Sequence, residues 1–151
     1  MKRLHAALPV LAPLAVDWAK RLEADAAIAG QPLDEAGQQI ARQVGVQRPE
    51  RIRIVVSDEM PYPEHPMLRA AALQTGLLGP SMAGLTLGYA VFIREGEVSR
   101  RLMSHEFRHV AQYEAAGSID HFLPAYLQQV VEVGYHAAPY EVDARRHEIQ
   151  G

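Results

Sequence analysis

The stretch Leu85-Thr86-Leu87-Gly88-Tyr89-Ala90-Val91-Phe92-Ile93-Arg94-Glu95-Gly96-Glu97-Val98-Ser99-Arg100-Arg101-Leu102-Met103-Ser104-His105-Glu106-Phe107-Arg108-His109 changes its period halfway along. From Leu85 to Ile93 the residues alternate, with Leu87, Tyr89, Val91 and Ile93 on one face and Thr86, Ala90 and Phe92 on the other, as a strand requires. Gly88 marks a bulge or a tight bend within it. Glu95 and Gly96 close the strand, and residues 98–116 read as a long helix ended by Gly117. Two histidines stand four residues apart in that helix, with glutamate after the first. Four residues of α-helix turn by about 400° and rise about 6 Å, so His105 and His109 share one face and can share one ion. Glu106 falls to the side of that face, where a carboxylate reaches a metal-bound water without ligating the metal, as a general base must. Phe107 falls opposite the histidines and is expected to pack inward, while Arg108 falls toward an edge.

A catalytic zinc needs three protein ligands and an open position. The chain has no cysteine, so the third ligand is His, Asp or Glu. The best candidate is Glu141, in Pro139-Tyr140-Glu141-Val142-Asp143-Ala144, at the start of a helix over residues 139–148. An intervening helix over residues 123–133, ended by Gly134, turns the chain back toward the motif. Two neutral imidazoles and one carboxylate leave a divalent site with net positive charge, which brings the pKa of a bound water to roughly 7.

This combination resembles the gluzincins, zincin metallopeptidases with a His-Glu-x-x-His helix and a glutamate ligand on a later helix. The resemblance covers roughly Gly84 to Arg146, and the compact minigluzincins show that a chain of this size can hold the whole site. It implies zinc at His105, His109 and Glu141, with Glu106 acting as base and then as acid in peptide-bond hydrolysis. It also implies that an extended peptide or protein substrate pairs with a strand before the motif helix, a role that falls to the strand from Leu85 to Ile93. In thermolysin-like members an aspartate four residues after the glutamate ligand supports a histidine. Here that position is Arg145, and Asp143 or Asp120 is expected to supply the supporting carboxylate. The spacer from His109 to Glu141 is longer than in those members, which keeps His121 and His136 in reserve as ligands. Tyr135 and Tyr140 are both candidates to donate a hydrogen bond to the developing oxyanion.

Outward from this centre, residues 13–29 carry Leu14, Trp18, Leu22 and Ala26 at helical spacing before Gly30, and residues 33–44 repeat the pattern before Gly45. The two are expected to pack as a helical hairpin. Ile52, Ile54 and Val56 alternate in a strand over residues 51–57, residues 66–75 form a short helix, and Gly76, Gly79, Pro80 and Gly84 make the next stretch a loop. The expected fold is α+β and zincin-like: one domain over residues 1–151, with a small, mostly antiparallel sheet packed on a helical bundle. It divides into a hairpin over 1–47, a sheet region over 51–94 and metal-binding helices over 98–149.

At 151 residues, with 48% hydrophobic and 22% charged residues, the chain fits one globular core rather than a disordered or fibrous segment. A net charge of -3 and the lack of any Lys and Arg stripe argue against nucleic acid as a partner. No stretch approaches the ~20 apolar residues of a membrane span. Residues 1–16 place Lys2 and Arg3 before an apolar run, but His5, Pro9 and Pro13 interrupt it and no small-x-small site follows closely. They are read as part of the fold, so a cytoplasmic protein is expected over a secreted one. His5, His65 and His147 read as surface residues, and Tyr126, Leu127, Val130 and Val131 as a core-facing stripe. Arg145 fits either an ion pair with Glu141 one helical turn away or, like Arg146, a clamp for a substrate carboxylate. Two rivals to a peptidase stand: a zinc hydrolase of another amide or ester, and a non-catalytic metal-binding or regulatory module. The second has no need of Glu106.

Overall fold

The computed structural model describes residues 2–79 and 81–151. Met1 and Pro80, assigned above to the opening segment and to the glycine-rich loop, lie outside the described residues. The chain forms α1 (Lys2–Ala29), β1 (Gln31–Pro32), α2 (Glu35–Gln43), a 3-10 turn (Pro49–Arg51), β2 (Arg53–Ser57) and α3 (Pro66–Thr75). There follow β3 (Gly84–Leu87), β4 (Ala90–Arg94), α4 (Arg100–Ala116), α5 (Ile119–Val133) and α6 (Pro139–Arg146). The class is α+β, with one small mixed sheet in the order β1-β2-β4-β3. β1 pairs antiparallel with β2, β2 runs parallel to β4, and β3 pairs antiparallel with β4. Among the described residues no helix is long and apolar enough to cross a membrane.

The expected single strand over residues 85–93 is instead a tight hairpin. Gly88 takes a left-handed φ of 65°, and the chain reverses there so that Leu87 faces Ala90. A side chain at Gly88 would also collide with Glu23, whose carboxylate accepts the Tyr89 amide at 2.8 Å. The turn also overturns the expected faces: Leu85 and Leu87 share a face with Ala90 and Phe92, whereas Val91 and Ile93, expected beside Leu87, point to the other side. The outcome for the site is that β3 alone forms the sheet edge beside α4, and β4 is interior.

The first helix begins at Lys2 rather than near Pro13. Pro9 and Pro13 both lie within it, four residues apart on its exposed side, where water can satisfy the carbonyls they free. The opposite stripe of Leu4, Leu11, Ala15, Ala19 and Ala26 is buried, mainly against α5, and that packing carries the helix through its prolines. The anticipated hairpin of the first two helices does not form. α1 belongs to a hydrophobic cluster with Phe122, Leu123 and Val130 of α5, whereas Ala41 of α2 and its C-cap Val44 join a second cluster with Leu102, Phe107 and Val110 of α4. The insertion of β1 between α1 and α2 sends them to different faces of the sheet. Ala90 and Phe92 of β4 face the first cluster, and Val91 and Ile93 face the second. α5 starts at Ile119, ahead of the expected residue 123, because Pro124 is accommodated inside the helix.

α4 belongs to both clusters. Phe107, fully buried, points into the second as its place opposite the histidines requires, and Tyr113 points into the first, its ring centroid 3.9 Å from that of Phe122. Burying an apolar side chain of this size is worth roughly 1.5–3 kcal/mol, so the helix is clamped from two sides.

Candidate metal centre

α4 begins with Ser99, whose side chain accepts from the Leu102 amide, and ends at Gly117, and its middle turns present His105 and His109 on one face. Their ring centroids are 5.1 Å apart. Glu141 reaches them from the first turn of α6, where Pro139 opens the helix and the dipole favours a carboxylate. His105 Nε2 lies 3.1 Å from Glu141 Oε1, and His109 Nε2 lies 3.0 Å from Glu141 Oε2. The ligand atoms of these three buried residues fall within 4.8 Å of one another, so the group can hold a metal ion. Two imidazoles and one carboxylate suit zinc and its neighbours in the first transition row alike.

The outer nitrogens of the rings are also held. His105 Nδ1 is 2.8 Å from Glu148 Oε2, and His109 Nδ1 is 2.7 Å from Gln112 Oε1. The Gln112 amide donates through Nε2 to Asp143 Oδ2 at 2.8 Å and to the Tyr140 carbonyl at 3.0 Å, which fixes its oxygen toward His109. Partners of this kind orient an imidazole so that Nε2 is presented to the ion. Glu148 is thus the supporting carboxylate. Asp143 acts one residue removed, while also receiving Arg108 Nε at 2.8 Å, and Asp120 instead pairs with Lys20 on the surface at 2.7 Å. Gln112 was recoverable from the sequence, since it lies three residues from His109 on the same helix. Glu148 was not, because the helix expected to run to residue 148 stops at Arg146 and leaves Glu148 in the chain beyond it. Its position depends on Ile149 donating to Ser104 Oγ at 2.8 Å and on Arg101 donating to the Gly151 carbonyl at 3.3 Å.

Glu106 is buried and lines the same spaces as the triad without belonging to it. Thr86 of β3 donates to Glu106 Oε1 at 2.8 Å; its single proton favours this contact over the Glu106 carbonyl at 3.1 Å. Gly84 leaves room for the carboxylate, since a Cβ there would lie 2.8 Å from Glu106 Oε2 and 3.0 Å from its Cγ. Of the two tyrosines considered for the oxyanion, Tyr135 lines the site together with Glu106 and Glu141. Tyr140 does not: its ring packs on Phe122 and it borders a separate groove with Arg108 and Asp143. Tyr126, assigned above to a core stripe, is in the core, but its hydroxyl donates to Glu141 Oε2 at 2.7 Å. Its helical spacing showed burial and could not show where the hydroxyl points.

Both nitrogens of each imidazole face acceptors, so in metal-free protein each ring is held in its doubly protonated form. Burial alone would lower the pKa of His105, but the hydrogen bond to Glu141 and the charge of Glu106 raise it to about 9. His109 moves upward for the same reason. Burial would raise the pKa of Glu141, yet its hydrogen bonds to His105 and His109 hold it well below 4.5. The stability that His105 contributes is complete below its ordinary value of 6.5 and is lost as pH rises toward 9. That of Glu141 is complete above 4.5 and is lost as pH falls through its depressed value. Metal-free protein is therefore expected to melt highest between about pH 4.5 and 6.5 and progressively lower toward pH 9. An ion displaces the Nε2 protons, so stabilisation by added zinc should grow over that same upper range. Melting curves with chelator and with zinc check this; a metal-free melting temperature that climbs between pH 6.5 and 9 contradicts it.

The triad lies between two spaces. On one side an apolar pocket of about 90 Å³ is walled by Trp18, Leu68, Met82, Leu85, Leu123 and Leu127 and reaches Glu106, His109 and Glu141. On the other, a more open depression of about 330 Å³ is lined by His105, Glu106, Tyr135, Glu141, Glu148 and two arginines. His136 borders this depression and His121 is bonded to Ser118 Oγ at 3.0 Å at the start of α5, so neither reserve residue belongs to the group that could hold an ion. Arg145 forms no pair with Glu141, whose oxygens are taken by the imidazoles and Tyr126; Arg145 donates to the His136 carbonyl instead. No known family model matches the chain, and no curated protein or solved structure shows significant similarity to it.

Proposed function

We propose that the protein is a zinc-dependent metallopeptidase of the gluzincin kind, with His105, His109 and Glu141 as ligands and Glu106 as general base. The observation that supports this reading above all is that the triad converges while a second buried carboxylate, Glu106, stands beside it and is aimed by Thr86 on the sheet edge. A structural site has no use for that residue. When bound, zinc supplies a Lewis acid for the substrate carbonyl and acidifies a water to a pKa of roughly 7.

The chain's own groups perform the remaining work. Glu106 takes the proton of the attacking water and returns it to the leaving amine. Tyr135, at the edge of the depression, is placed to donate to the carbonyl oxygen as charge develops there. Tyr126 holds Glu141 from behind, and Glu148 and Gln112 keep both imidazoles in register. The outer edge of β3 pairs with an extended substrate, which is a shorter platform than residues 85–93 and brings the peptide next to Glu106. An apolar side chain next to the scissile bond fits the apolar pocket.

The test is a defined mixture of peptides incubated with protein that is zinc-loaded, chelator-stripped or reloaded, with products read by mass spectrometry. Cleavage should follow zinc through all three preparations. Zinc near one per chain without cleavage of any peptide would overturn the peptidase assignment.

A further inference from the structure

We propose that Arg145 receives a carboxylate group of the substrate close to the bond being cut. The inference rests on the metallopeptidase reading above and narrows its substrate class. Among the described residues the arginines near the centre are employed differently. Arg108 is neutralised by Asp143, and Arg101 lies 3.4 Å from Glu148. Arg145 takes part in no ion pair with a described carboxylate. Its one hydrogen bond goes to the His136 carbonyl, which fixes the side chain but leaves its charge uncompensated and most of its five N–H donors available.

Its location gives that spare charge a purpose. Arg145 lines the same depression as His105, Glu106, Tyr135 and Glu141. It follows Glu141 by four residues on α6, which places it one turn along the same helix face, about 6 Å further by the helical rise. The guanidinium is also close enough to Tyr135 to oppose the upward push on its hydroxyl from burial and from the charges of Glu141 and Glu106.

Charge balance points the same way. The charged groups lining the depression are Glu106, Glu141, Glu148, Arg101 and Arg145. With a divalent cation on the triad, the positive charges exceed the negative by one unit, and a monoanionic substrate end neutralises the remainder. A planar guanidinium matches a carboxylate in two parallel hydrogen bonds. Because Glu148 supports His105, the position of Arg145 is released from the supporting role that the gluzincin resemblance assigns to it.

The carboxylate has two sources, a free peptide C-terminus or an acidic side chain, and three ligands separate them. They are N-acetyl-leucyl-leucine, its C-terminal amide, and the amide of N-acetyl-leucyl-glutamate. Each is titrated calorimetrically into full-length, zinc-loaded protein carrying Glu106→Gln, which prevents turnover during the measurement, and zinc content is determined in the same samples. At least one of the two carboxylate ligands should bind about tenfold or more tightly than the leucine amide, and the stronger of the two identifies the source. Adding Arg145→Gln should erase the advantage, while Arg145→Lys keeps part of it. Equal affinity for all three ligands overturns the proposal, and so does an advantage that survives Arg145→Gln, which would place the carboxylate on the metal itself. Absence of zinc from the protein would instead remove the metallopeptidase reading and this inference with it.

Discussion

Glu106→Gln should lower peptide turnover by roughly 10²–10⁴-fold, the contribution expected of a positioned general base, while zinc content stays near one per chain. The amide is isosteric and its oxygen still accepts from Thr86, whose contact with the native carboxylate is 2.8 Å. Folding and the triad therefore lose nothing, and what disappears is only the ability to take a proton from water. Steady-state kinetics beside metal analysis separates the two effects. Turnover unchanged within twofold would dismiss Glu106 as the base, and loss of zinc would make it a ligand rather than a base.

Glu141→Ala should have the largest effect on metal retention. The residue is one of the three proposed ligands, and its two oxygens also gather His105, His109 and Tyr126 within 3.1 Å. Loss of an outer partner typically weakens a metal site 10–100-fold, so loss of a ligand should exceed about 100-fold. Truncation also leaves the buried Tyr126 hydroxyl and two imidazoles without their acceptor, at about 1–3 kcal/mol for an unsatisfied group. Competition with a chromophoric chelator reads the affinity, and thermal melting in excess chelator reads the stability cost. Wild-type affinity would return the third ligand to another residue, and the nearest remaining histidine of the depression is His136.

Helices with a clean stop were legible in the sequence. The short helix Pro66–Thr75 falls where its opening proline and closing Gly76 put it, and α4 ends at Gly117 as read. Helices carried across prolines were not, since Pro9, Pro13 and Pro124 are each outweighed by packing that only the folded chain provides. The hairpin at Gly88 escaped because Gly88 and Tyr89 occupy places in the period-two pattern, so two short arms read as one continuous strand, with Leu87 put on the wrong face. At the site, helical geometry alone put His105, Glu106 and His109 on adjoining faces, and Glu141 was singled out as a carboxylate at a helix start after an intervening helix turns the chain back. Glu148, Thr86 and Tyr126 come from three further elements, and no local spacing links them to the motif.

α4 is a partition wall as well as a ligand platform. Phe107 and Val110 anchor it in one half of the interior, and Tyr113 anchors it in the other. A change of side-chain volume far from the cleft, at Val44 or Ile52 for instance, leans on the back of this wall and tilts the imidazoles in front. Substitutions in the second half of the interior are thus expected to disturb the alignment of nitrogen atoms on the far side of one helix as well as stability.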